Sequence, residues 1–246
     1  QQIHRSITMD QPTTRKNARI DVADVLRGLA VMGIIVLHSI EHFNFGSYPD
    51  TSAQSAWLNF TDKAIWDGLF FMFGGKAYAV FALLFGFSFF IQDNNQQMKG
   101  KDFRLRFCWR LVLLFLFGNL NASFFTAEVL VLYSLVGFIL VPTCRLSDKT
   151  ILILACLLLI QPLPLYYTLR AAFDPTYTPL TIPTRELWMT TYQSQMNGTF
   201  LETLRTNLWE GQLASLAWAW DHGRVFQTAA LFLLGILFSI GCSAEK

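Results

Sequence analysis

Four stretches of this chain, Leu111 to Ala127, Val129 to Cys144, Thr150 to Leu169 and Val225 to Ala244, contain no Asp, Glu, Lys or Arg at all. Crossing about 30 Å of hydrocarbon demands such runs, because about 20 helical residues span that thickness and every backbone polar group must be satisfied within the segment. The composition agrees. Of 246 residues, 53% are hydrophobic and only 15% charged, where soluble domains carry roughly 25% charge. The expected fold class is therefore all-α, a polytopic transmembrane helix bundle. Six spans are predicted, at about 25–45, 66–91, 111–125, 127–144, 150–168 and 225–242, giving a 1–24 tail and a membrane domain over 25–246. Little more than Thr126 separates the third span from the fourth, so these two should form a tight helical hairpin.

The net charge of +2 is too small and too dispersed for a nucleic-acid binder. The cysteines, Cys108, Cys144, Cys156 and Cys242, form no C-x-x-C pair, so neither a disulfide framework nor a zinc ribbon is indicated. Cytoplasmic loops hold an excess of Lys and Arg. With the spans above, thirteen of these bases fall on the side of the termini and five on the other, which predicts both termini in the cytoplasm. The remaining base, Lys76, lies within the membrane zone beside Gly74 and Gly75, a pair able to break the second span. The first run is too long, and too polar toward its end, for a cleaved signal peptide, so it is expected to be retained.

The segment 170–224 opens with Pro175, Pro179 and Pro183, then shows Thr199 three residues before Glu202. That T-x-x-E pattern is a capping box and predicts a helix across Leu204, Leu208 and Trp209. Trp188, Trp209, Trp218 and Trp220 lie in the same segment. Indole rings favour the membrane interface, so short interfacial helices roofing the bundle are expected.

Ionisable groups at membrane depth cost a few kcal/mol and are functional candidates by default. At 100° per residue, Asp24, Arg27, His38, Glu41 and His42 share one helical stripe about 100° wide, with His38 about 16 Å along the axis from Arg27. Other spans supply Lys76, Asn119, Asn121 and Glu128, so a pocket lined by His38, Glu41, His42, Lys76, Asn119, Asn121 and Glu128 is geometrically allowed. Plainer roles stand beside this. Arg27 can snorkel to lipid phosphates, Glu128 can cap a helix, His38 can bond a neighbouring helix, and Asn119 and Asn121 can be interhelical glue. His38 to His42 also reads H-x-x-E-H, a weakly specific zinc pattern that would need Glu128 or His222 as third ligand. No metal is expected.

RIDVADVLRGLAVMGIIVLHSIEHFNF at 19–45, FFMFGGKAYAVFALLFGFSFFIQ at 70–92, RLVLLFLFGNLNASFFTAEVLVLYSLVGFIL at 110–140 and FQTAALFLLGILFSIG at 226–241 together resemble the YeiB-like family of bacterial inner-membrane proteins, domain-of-unknown-function family 418. The 198–229 loop resembles that of Bacteroidetes-type members. The chain departs from the family pattern in having His38 where members usually carry Asn, and Ala127-Glu128-Val129-Leu130 where they carry Gly-Asp-Ile-Leu. Members also continue with further helices, so the chain is expected to be the N-terminal portion of a longer domain. Through Asp24-x-x-Arg27-Gly28 the family is similar to transmembrane acyltransferases that include heparan-alpha-glucosaminide N-acetyltransferase.

That resemblance implies a multi-pass protein of the bacterial inner membrane, using cytoplasmic acyl-CoA (acetyl-CoA) as cosubstrate, with no permanently bound cofactor, and an outer acceptor, a glycan or a small molecule. Arg27 and Lys76 would bind the donor, Asn119 and Asn121 the substrate. His38, Glu41, His42 and Glu128 would be catalytic, a histidine deprotonating the acceptor and a glutamate orienting it. Two alternatives stay open: a proton-coupled transporter or permease for a small solute, and a non-catalytic membrane component.

Overall fold

The computed structural model describes residues 21–43, 52, 54–126, 128–143, 145–174, 176–178 and 182–244. Among them lie twelve α-helices, one π-helical turn and no strand. The helices are α1 (Asp21–Phe43), α2 (Ala56–Phe73), α3 (Lys76–Gln97), α4 (Arg104–Phe124), α5 (Val129–Gly137), α6 (Leu140–Thr143), α7 (Asp148–Leu159), α8 (Pro162–Phe173), α9 (Thr184–Asn197), α10 (Phe200–Thr206), α11 (Gln212–Asp221) and α12 (Arg224–Ala244). The π turn, Asn207–Gly211, joins α10 to α11.

By length and composition, Val22–Ile40, Ala56–Gln97, Arg104–Phe124 and Asp148–Phe173 are able to cross a membrane. A fifth crossing results if Phe200–Asp221 and Arg224–Ile240, bent by 72°, count as one span. The predicted second span is broken where the sequence places its glycine pair. Gly74 ends α2, and Gly75, at φ 68°, starts α3 in the left-handed region that a side chain makes costly. The expected fifth span is likewise two helices, α7 and α8, because Pro162 cannot continue the ladder and Gln161 turns the chain at φ 54°. The fourth is shorter than drawn, with α5 and α6 separated by a turn at Phe138 and Ile139. The third is longer, its helix beginning at Arg104.

The core lies where α3 crosses α12. Phe85 stacks on Phe232 at 4.7 Å, Tyr133 of α5 meets Phe232 edge-on at 5.2 Å, and α7 adds the buried Ile151 and Ala155. Phe103 and Phe107 of α4 pack on Phe89, the latter pair 4.4 Å apart. The helix α1 lies on a different edge of α3, where Ala23 meets Leu84, Phe87 and Ile91. The α4–α5 hairpin forms as expected, so tightly that a Cβ at Gly118 would lie 2.9 Å from the Val131 side chain. By contrast α2 buries none of its residues and exposes Trp57, Phe60, Ile65 and Phe71, as a rod surrounded by lipid would. Helices α9 to α11 form a layer across the end of α4. The Thr199–Glu202 capping box starts α10 with both reciprocal bonds in place.

Candidate functional site

Three of the five polar stripe residues of α1 border its buried face. Ala23, Ala30 and Leu37 are buried, Asp24, Arg27 and His38 are partly buried beside them, and Val22, Val25, Leu29, Met32 and Ile35 lie on the exposed side. At one end Arg27 pairs with Asp24 at 2.6 Å and donates a second hydrogen bond to the Ser88 hydroxyl of α3. At the other, the His38 ring meets Phe125 edge-on at 5.0 Å, where α4 turns into α5. Glu41 and His42 lie on the last turn of the helix, and their side chains fall outside the described residues.

Glu128 is the centre of the His38 end. It is the N-cap of α5, accepting from the Leu130 amide at 2.8 Å, and its second oxygen accepts from the Asn121 side chain. Only 8% of Glu128 is exposed. Asn121 and Glu128 form an amide–carboxylate pair, and His38 packs on Phe125 in the short segment that joins them.

Asn119 and Lys76 stand apart from that set. Asn119 donates to the Phe115 carbonyl at 2.8 Å and accepts from Gln212 at 3.5 Å, which ties α4 to α11. The exposed Lys76 ammonium lies on the C-terminal turn of α2, bonded to the Phe71 carbonyl and 4.2 Å from the Phe71 ring centroid. A cation there complements the partial negative charge of the helix end.

Sequence reasoning passed over the polar network beneath the roof. Asn207, 2% exposed, donates to the Ser123 carbonyl of α4 at 2.9 Å and accepts from Gln195 of α9 at 3.1 Å. It is the first residue of the π turn, and such one-turn bulges are frequent at functional sites. An Asn among Leu and Trp residues was the only available signal. A second network joins the N-terminal ends of α3, α5 and α12. Tyr78 bonds Thr228, Tyr133 donates to the Tyr78 carbonyl at 3.0 Å, and the Arg224 guanidinium lies 5.3 Å from the Tyr78 ring. His222, the other suggested zinc ligand, stacks on Trp218 at 4.7 Å with Nδ1 2.9 Å from the Trp218 carbonyl. Among the described residues no three His, Cys, Asp or Glu side chains converge as a metal site would require.

No family model matches the chain, and no solved structure is similar to it. Over 154 residues it is 36% identical to the uncharacterized protein YxaH of Bacillus subtilis (strain 168), a match covering 59% of this chain and 37% of that protein. It is 26% identical over 142 residues to an uncharacterized 39.9 kDa protein in the amylase 3′ region of Bacillus acidopullulyticus, covering 58% and 39% respectively. The matched part thus spans about two fifths of the length of these relatives.

Proposed function

We propose that the chain is part of a YeiB-like acyltransferase of the bacterial inner membrane, crossing it six times with both termini in the cytoplasm. It would move an acyl group from cytoplasmic acyl-CoA to a glycan or small-molecule hydroxyl or amine on the outer side. One observation carries this reading: α1 holds Arg27 and His38 on one flank of its buried face, with His38 against Phe125 at the turn between Asn121 and Glu128. Their separation, about 16 Å by the rise of a helix, lets a cation hold the charged head of the donor while its thioester reaches the imidazole. His38 then takes the acceptor proton as the acceptor oxygen or nitrogen bonds to the thioester carbon. The C–S bond breaks, and the proton passes to the leaving thiolate. Proton transfer of this kind contributes roughly 10² to 10⁴ in rate.

The test uses the full-length protein in detergent or nanodiscs with labelled acetyl-CoA and membrane glycans. Transfer lost in His38→Ala, with donor binding weakened in Arg27→Ala, is the expected result. Undiminished transfer by His38→Ala overturns it. A buried carboxylate beside a histidine also fits a proton-coupled transporter of a small solute. Solute uptake into liposomes without any CoA, abolished by Glu128→Gln, would decide for that second reading.

A further inference from the structure

Two arginines from different helices come down on one edge of α3. Arg27 of α1 bonds Ser88, and Arg110 of α4 bonds the Gln92 side-chain oxygen. Ser88 and Gln92 are four residues apart, so about 6 Å separates them along the helix axis on one face. Around the axis of α3, Leu84, Phe87 and Ile91 share the face that meets α1, and Phe85 and Phe89 share the face that meets α4. With each residue turned about 100° from the one before, Ser88 and Gln92 fall in the sector between those two faces. They therefore floor a groove whose walls are α1 and α4, with one guanidinium reaching in from each wall.

The charge in this groove is unbalanced. Arg27 is neutralised by Asp24. Arg110 is exposed, and among the described residues its hydrogen-bond partner is the neutral Gln92 amide, with no carboxylate paired to it. Guanidinium groups are the side chains best shaped for bidentate binding of phosphate, and these two meet acceptors one helical turn apart on α3. The neutral hydroxyl and amide that now accept from them are partners an anion readily replaces. Val31 of α1 and Leu113 of α4 lie exposed about one turn beyond Arg27 and Arg110.

We propose that Arg27 and Arg110, over Ser88 and Gln92, form a two-walled binding site for a phosphoryl group at this end of the α1–α4 groove. The group belongs either to a soluble phosphate ester such as coenzyme A or to an anionic lipid headgroup. This inference goes beyond the acyltransferase reading, since it assigns Arg110 and holds for either source.

The experiment measures binding to the full-length protein in neutral nanodiscs, without turnover. One arm titrates coenzyme A and inorganic phosphate calorimetrically. The other counts phosphatidylglycerol molecules retained in native mass spectra. The expected result is binding in at least one arm that falls about tenfold in Arg110→Gln, since one charge-assisted bond pair is lost. Arg106→Gln, which removes an equal charge from an exposed neighbouring turn of α4, leaves binding unchanged. Because Arg110 is exposed, its loss spares the core, so the result does not depend on whether Arg27→Gln folds. Binding in neither arm, or equal losses in Arg110→Gln and Arg106→Gln, overturns the proposal. Lipid retention without coenzyme A binding would support the site while counting against the donor role of Arg27, so the two readings fail separately.

Discussion

Gly86 of α3 and Gly235 of α12 each lie against the other helix's backbone. A Cβ on Gly86 would stand 1.9 Å from the Phe232 carbonyl oxygen, and one on Gly235 would stand 2.0 Å from the Leu83 carbonyl oxygen and 2.8 Å from the Phe87 nitrogen. The fully buried Ala82, one turn before Gly86 on the same side of α3, keeps a small side chain beside the seam. In lipid, where acyl chains solvate Leu as well as another helix does, association has to come from such backbone approach and from buried polar bonds. Here the two occur together, because Tyr78 of α3 and Thr228 of α12 bond each other across the same two helices as the glycine seam.

Gly86→Ala and Gly235→Ala should each destabilise the protein by about 1 to 3 kcal/mol or more, because the obstacle is backbone and cannot rotate away. Gly68→Ala on α2, where a Cβ meets nothing within 4 Å, should be neutral or gain up to about 1 kcal/mol in helix propensity. Thermal unfolding of the three variants in one detergent checks this. Equal midpoints for all three would dismiss the seam.

Asn207 should hold the roof to the bundle. In Asn207→Ala the Ser123 carbonyl loses its partner in a buried place, a cost of about 1 to 3 kcal/mol, while the exposed Gln195 amide turns to water. Hydrogen exchange should accelerate across α9 to α11 while the α3–α12 core keeps its protection, because one bond cut ties the roof to α4 and the other lies within the roof. Uniform acceleration would mean that the roof and the core unfold as one unit.

What the sequence made legible is what depends on neighbours along the chain. The break at Gly74 and Gly75, the Thr199–Glu202 box, the α4–α5 hairpin and the common face of Asp24, Arg27 and His38 all follow from local spacing. Pro162 and Pro164 sat in plain view inside the expected fifth span, yet apolarity outweighed them, although a proline after a residue at positive φ ends a helix in lipid as in water. Partners across helices were not legible. Nothing in the sequence selects Ser88 for Arg27 or Gln92 for Arg110, since those pairings depend on how α1 and α4 rotate against α3. The π turn was hidden too, because one extra residue in a helical turn leaves no mark on composition.

The cap of α10 gives the protein a stability increment that depends on acid pH. Glu202 accepts from the Thr199 backbone amide first and from its hydroxyl second, and both hold its carboxyl below the ordinary 4.5. Because the folded value is the lower one, the increment is complete above the unfolded value and is lost as pH falls through the folded one. Asp102, held at about 2 mainly by the Arg104 side chain, loses its contribution over the window from 3.8 down to about 2. Thr199→Ala should cost about 0.5 to 2 kcal/mol at neutral pH. Its deficit relative to the unmutated chain should shrink between pH 5 and pH 3 in unfolding titrations, a range set by the ordinary glutamate value of 4.5. A deficit constant across that range would show that Glu202 gains nothing from the box.

Glu128 separates structure from chemistry, because its two oxygens serve the helix cap and the Asn121 amide, roles that a neutral amide can fill in part. Glu128→Gln keeps an acceptor oxygen for the Leu130 amide, so the unfolding midpoint should stay close to that of the unmutated protein. Glu128→Ala removes the cap and leaves the Leu130 amide and the Asn121 side chain without their acceptor, at a cost of roughly 0.5 to 2 kcal/mol. If the carboxylate orients a working histidine, Glu128→Gln should lower acyl transfer by about 10²-fold despite its intact fold. Full transfer by Glu128→Gln, with instability confined to Glu128→Ala, would reduce Glu128 to a helix cap and leave His38 to act without it.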